Sequence, residues 1–86
     1  MTILFPQSQE WDESRELVWF LAEVDSQHIR CAVSAEALVD HFGGAGIKKL
    51  DAFRANRKVI QEVAERLINR KRMEKDGTLL IRSQDF

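Results

Sequence analysis

What the chain lacks narrows it first. It has one cysteine in 86 residues, Cys31, so no internal disulfide can staple the fold. Its longest uninterrupted apolar run, Leu17 to Ala22, is six residues, where spanning a bilayer needs roughly 20. Met1 to Pro6 carries neither the basic region nor the apolar stretch of a signal peptide. No internal repeat or low-complexity tract interrupts the chain. These absences exclude a disulfide-built secreted scaffold and a membrane span, and the chain reads as cytoplasmic. Basic residues are scarce in residues 1 to 47, where eight acids face only Arg15 and Arg30. Residues 48 to 75 reverse this with ten bases against four acids. Such asymmetry points to a polyanion partner, or to attraction between the two parts within one fold or across a dimer.

The remaining composition, 44% hydrophobic and 31% charged, is that of an ordinary globular chain. Eighty-six residues suffice for a single domain, 1–86, in which nearly every apolar segment must join one core. The longest periodic stretch runs from Asp51 to about Arg70. Phe53, Ile60, Val63, Ala64 and Leu67 recur at helical spacing, while Arg54, Lys58, Gln61, Glu62, Glu65 and Asn69 fall on the other side. One long amphipathic helix is expected, with Asp51 as its N-cap and Glu62 paired to Arg66.

Upstream, Thr2 to Phe5 is a short β-prone run stopped by Pro6, and Gln7 to Ser14 reads as a polar loop anchored by Trp11. From Leu17 to Val24 both alternating sets are apolar, as in an inner or doubly covered strand. Asp25 to Gln27 breaks the pattern, and Ile29, Cys31 and Val33 then alternate, giving a β-hairpin. Ser34 reads as the N-cap of a short helix ended by Gly43 and Gly44, and Gly46 suits a turning link. Asp76-Gly77 marks a turn before a last strand, Thr78 to Arg82. Strands beside one another in sequence and two consecutive helices predict an α+β, two-layer sandwich: an antiparallel sheet of three to four strands with a short and a long helix on one face. A winged-helix alternative, with residues 73–82 as the wing, is weakened by the extra N-terminal hairpin.

No enzyme constellation is visible. Cys31 with His41 is the one thiol and imidazole pair, but Cys31 shares a strand face with Ile29 and Val33 and reads as core. His28 and Cys31 lie three apart on a strand, on opposite faces, and so cannot share a metal. Gly43, Gly44 and Gly46 lack the spacing and the Lys-Ser or Lys-Thr pair of a phosphate loop. Neither a cofactor nor a metal is implied. Asn56 and Arg57 fall near the apolar sector of the long helix and need partners there: backbone of the 43–47 link for Asn56, and a carboxylate such as Asp40 for Arg57. The alternative is a phosphate or partner contact built from Lys48, Lys49, Arg54, Arg57, Lys58, Arg70, Lys71 and Arg72.

Trp11-Asp12, Cys31-Ala32-Val33-Ser34 with Glu36-Ala37-Leu38, Asp40-His41-Phe42-Gly43, Ala52-Phe53-Arg54-Ala55-Asn56-Arg57, Ala64-Glu65-Arg66 and Asp76-Gly77 occur in that order over nearly the whole chain. Together they resemble a family of short proteobacterial proteins, domain of unknown function 1488. The resemblance implies a two-layer α/β sandwich and carries over no catalytic residue; some members bear the label of transcriptional regulator. The functional expectation is a non-enzymatic regulatory module, nucleic-acid-associated through the basic 48–75 segment. Its alternative is a protein-interaction or homodimeric accessory protein, in which the acidic hairpin of one copy meets the basic helix of another.

Overall fold

A computed structural model describes residues 2–43 and 48–86. The expectation placed on Gly44 and Gly46 lies outside the described residues. Strands β1 (Ile3–Leu4), β2 (Gln9–Asp12), β3 (Leu17–Val24) and β4 (Gln27–Ser34) are followed by helices α1 (Ala35–Phe42), α2 (Lys49–Ala55) and α3 (Arg57–Asn69), then strand β5 (Leu79–Ile81) and a final 3₁₀ turn, Ser83–Asp85. The sheet runs β1-β3-β4-β5, with β2 also on β3. The α+β sandwich is therefore present, with five strands and three helices among the described residues.

β3 organises this sheet. It pairs with β4 from Leu17↔Ser34 to Val24↔Gln27, and Asp25 and Ser26, at φ 50° and 70°, close the hairpin. Two successive left-handed residues give a turn whose twist matches that of paired strands. On its other edge β3 takes β1 at Val24 and Glu23, and β2 from Leu17 to Phe20. Strand β2 lies where a polar loop is expected from the sequence. Four residues with one apolar side chain carry too little alternation to register as a strand, and only pairing to β3 makes Gln9–Asp12 extended.

Because β3 alternates, Val18, Phe20 and Ala22 point to the helices with Cys31, Val33, Leu79 and Ile81. Helices α1 to α3 cover this face with Ala37, Leu38, Ala52, Phe53, Ile60, Val63, Ala64, Leu67 and Ile68. The rings of Phe20 and Phe53 meet at 5.2 Å between centroids. β5 pairs with β4 in parallel, Cys31↔Leu79 to Val33↔Ile81, which corrects the expected all-antiparallel sheet. Three helices separate the two strands and return the chain to the end of the sheet where β4 began, so β5 enters in the same direction. Residues 79–81 thus belong to the main sheet and form no separate wing.

The expected long helix is two. Asn56, at φ −122° and ψ 21°, ends α2 and precedes α3, and its Nδ2 donates to the Ala52 carbonyl at 2.9 Å. An asparagine amide that competes for backbone carbonyls favours such a break. Phe53 and Ile60 are seven apart, a separation that stays on one face whether or not the helix is interrupted, so periodicity could not reveal the joint. Asp51 is not a cap. The helix starts two residues earlier, after Lys48, and Asp51 sits in the first turn of α2, 3.6 Å from Arg54. Arg66 donates to the Asp85 carbonyl rather than settling on Glu62. The remaining ends match expectation: Ser34 Oγ accepts from Ala37 N at 3.1 Å, Gly43 closes α1 at φ 65°, and Asp76 accepts from Thr78 N and Oγ beside Gly77 at φ 88°. Among the described residues no helix is long and apolar enough to cross a membrane.

Ser34 joins β4 directly to α1, so its cap carries both elements. Ser34→Ala is expected to cost about 1 kcal/mol and lower Tm by roughly 4–8 °C, while Ser34→Asp retains the cap. Thermal unfolding followed by circular dichroism checks both.

Candidate functional site

The basic residues singled out above fall into three places. Lys48, Lys49, Arg54 and Lys58 surround α2. Lys48 is extended and exposed at its start, Arg54 is exposed with its Asp51 neighbour, and Lys58 is exposed on the first turn of α3. Arg70 and Lys71 are exposed at the far end of α3, about 20 Å from its start at 1.5 Å per residue. Arg57 and Arg72 are spent inside the fold.

Arg57 donates to Gln9 Oε1 at 2.9 Å, and its guanidinium lies 6.0 Å from the centre of the Phe53 ring. The expected carboxylate partner, Asp40, instead accepts from Ser83 Oγ at 2.6 Å. Gln9 is available because β2 is a strand: Gln9 pairs with Phe20 and Trp11 with Val18, so both side chains face the helix layer. Asn56 donates to the Ala52 carbonyl of its own preceding turn, and residues 44–47 of the link expected to hold it lie outside the described residues.

Arg72 makes two bonds to Asp85, 2.6 and 2.9 Å, and a third to the Leu80 carbonyl at 2.9 Å. The Asp85 side chain is only 6% exposed. Its burial disfavours the charge, but the Arg72 bonds, the Arg82 backbone N–H and the two positive charges outweigh this and hold the carboxyl below its usual range. Arg72 is thus a brace between the end of α3 and the last turn.

Around the start of α2 the picture differs. Trp11 reaches from β2 beneath the helix, and with Leu50, Lys48 and Lys49 it lines a mainly apolar cavity of about 290 Å³. An aromatic ring beside ammonium groups is the combination that holds unstacked bases and their phosphates. Trp11 and the lysines are far apart in the sequence, and nothing local shows that residue 11 lies under residue 50.

Elsewhere the chemistry is structural. Cys31 is fully buried, and burial pushes its thiol up to about 12. His28 is exposed, 3.8 Å from Glu23. One cluster was missed: His41 Nε2 lies 2.7 Å from the Ser83 carbonyl and 3.3 Å from Ser83 Oγ, which itself donates to Asp40. A carbonyl only accepts, so Nε2 carries the proton. It cannot then also take the Ser83 proton, and the serine lies between acid and imidazole rather than next to the imidazole alone, so this is no nucleophile-base-acid relay. The cluster holds the last turn to α1, with Phe86 against Phe42 and His41. Among the described residues no three His, Cys, Asp or Glu side chains converge as a metal site.

A family model described as protein of unknown function (DUF1488) matches residues 3–81. The chain belongs to the DUF1488 family. The uncharacterized protein YrdB of Escherichia coli K12 is 37% identical over 76 residues, covering 87% of this chain and 89% of that protein; the Shigella flexneri protein of the same name is 36% identical over the same span. A crystal structure of a DUF1488 protein of unknown function from Shewanella loihica PV-4 superposes with a TM-score of 0.80 at 24% identity, over 94% of each chain, and so shares the fold. The DUF1488 match includes Trp11, Lys48, Lys49, Arg54 and Lys58 and stops before Ser83, Asp85 and Phe86.

Asp85 has a pH consequence. A carboxyl held below its unfolded value of about 3.9 contributes stability above that pH and loses it as pH falls through the folded value. Asp85→Asn is expected to lose about 2 kcal/mol at pH 7 and to show a shallower loss of stability than wild type between pH 5 and pH 2. Urea unfolding across that range tests the pairing.

Proposed function

We propose that this DUF1488 protein is a non-enzymatic, cytoplasmic regulatory module that associates with nucleic acid through Lys48, Lys49, Arg54 and Lys58. The observation that carries the reading is Trp11 set beside Lys48 and Lys49 in one apolar cavity. Phosphates meet the ammonium and guanidinium groups, and an unpaired base enters against the indole. Arg70 and Lys71 extend the basic surface along α3, where Glu62 and Glu65 interrupt it; Arg57 and Arg72 take no part. An enzymatic role finds no support in a buried thiol and a serine tied to an aspartate. An accessory role resting on protein contacts alone is the second reading, favoured by the helix-free face of the sheet, where Leu17, Trp19 and Leu21 are only half-buried.

Fluorescence anisotropy with random duplex DNA, structured RNA and a single-stranded oligonucleotide tests the first reading. Three phosphate contacts, from Lys48, Arg54 and Lys58, are expected to weaken duplex binding roughly 40-fold between 50 and 200 mM salt. Lys48→Glu with Arg54→Glu is expected to abolish binding to all three probes. Absence of binding at tens of micromolar protein in low salt contradicts the reading.

A further inference from the structure

The two edges of the sheet are finished differently. Val24 and Gln27 flank a two-residue turn, so the even residues of β3 bond to β4 and the odd ones to β1 and β2. The bonds from Ala35 N to Glu16 O and from Asp25 N to Thr2 O follow the same alternation. Glu10 and Asp12 therefore bond to Trp19 and Leu17, while Gln9 and Trp11 turn their N–H and C=O groups away from the sheet. On β5, likewise, Leu79 and Ile81 bond to β4, and Thr78, Leu80 and Arg82 face outward.

The outward groups of β5 are met from within the chain. Thr78 N donates to Asp76 Oδ1 at 3.0 Å, and Glu74 N donates to Thr78 O at 2.7 Å. Arg72 donates to Leu80 O at 2.9 Å. Arg82 N donates to Asp85 Oδ2 at 2.8 Å, and Asp85 N to Arg82 O at 2.9 Å. Covering of this kind keeps a sheet edge from taking up another strand. The β2 edge has none: among the described residues nothing bonds the N–H or C=O of Gln9 or Trp11, and no residue of the strand is buried.

We propose that the β2 edge binds an extended segment of another protein as an added antiparallel strand, with a lysine or arginine opposite Glu10 and an apolar residue opposite Trp11. Two hydrogen-bonded pairs, at Gln9 and at Trp11, satisfy the four open backbone groups. Glu10 lies between them, exposed on the helix-free side, and takes part in no ion pair among the described residues. Arg30 lies over Trp19, on the β3 side of Glu10 and away from the open edge. Asp12 and Glu13 make this end of the sheet acidic. A base on the incoming strand therefore meets an opposite charge across the pair. On the helix side, the residue opposite Trp11 stands at the mainly apolar cavity that Trp11 shares with Leu50 and Lys48, where an apolar side chain fits and a second base is repelled.

The same carboxylate excludes a second copy from this edge. Pairing two β2 strands so that all four groups are met sets Gln9 against the partner's Trp11 and Glu10 against the partner's Glu10. Those like charges then face each other at the closer kind of cross-strand pair. The strand addition does not rest on nucleic-acid binding, because it uses the β2 backbone and Glu10.

The probe is an end-capped, fluorescently labelled peptide, Thr-Val-Lys-Val-Thr, titrated with the full chain and followed by anisotropy. A Kd below about 1 mM is expected, roughly fivefold weaker when the central lysine is replaced by glutamate. N-methylation of both valines removes their donors while keeping charge and side chains, and is expected to abolish binding. Glu10→Lys is expected to reverse the preference for lysine over glutamate. With peptide in excess, amide hydrogen exchange at Gln9 and Trp11 is expected to slow roughly tenfold. No binding at that concentration, equal binding of the N-methylated peptide, a preference unchanged by Glu10→Lys, unslowed exchange, or a wild-type dimer that the peptide dissociates each overturns the proposal.

Discussion

Strand β3 is apolar on both faces, whereas the chain supplies helices for only one of them, and the rest of the structure is arranged around that imbalance. The face carrying Val18, Phe20 and Ala22 is sealed by Phe53, Ile60, Val63 and their neighbours. To bring those residues over the sheet, the chain runs α1, α2 and α3 in succession and returns as β5, parallel to β4. The break at Asn56 belongs to the same requirement: α2 lies toward β2 and β3, while α3 lies toward β5. On the other edge, β1 and β2 share the length of β3 end to end, and β2 sends Gln9 and Trp11 beneath the helices.

Features written in neighbouring residues were legible in the sequence, and features made by distant ones were not. The β3–β4 hairpin, the Ser34 cap, the Gly43 stop, the apolar stripe of α3 and the Asp76-Gly77 turn each depend on a few consecutive side chains or on a simple period. Strand β2 depends on pairing with β3, and the direction of β5 on the path of three helices. The same division runs through the functional residues. Arg54 and Lys58 are exposed, as helical periodicity indicates, but Arg57 finds Gln9 across 48 residues and Arg72 finds Asp85 across 13. A charge count treats all such bases alike, although a guanidinium bonded to a nearly buried carboxylate is not available to a phosphate.

Two surfaces consequently carry the functional argument, one on each side of the sheet. On the helix side, cations and an indole converge at the start of α2, a pairing of groups suited to nucleic acid. On the other, Leu17, Trp19 and Leu21 are half-buried, with Arg30 over the Trp19 ring. Membership of the DUF1488 family accounts for the architecture common to both; the chemistry of each surface comes from the side chains this chain places there.

The most direct measurement compares neighbours on β3 that face opposite ways. Phe20→Ala and Leu21→Ala remove large apolar side chains one residue apart, and equilibrium urea unfolding at submicromolar protein keeps self-association out of the comparison. With one sealed face, Phe20→Ala is expected to lose about 3–5 kcal/mol and Leu21→Ala about 1 kcal/mol. Equal losses at the two positions would contradict one-sided coverage of the sheet, and with it the arrangement on which both surfaces rest.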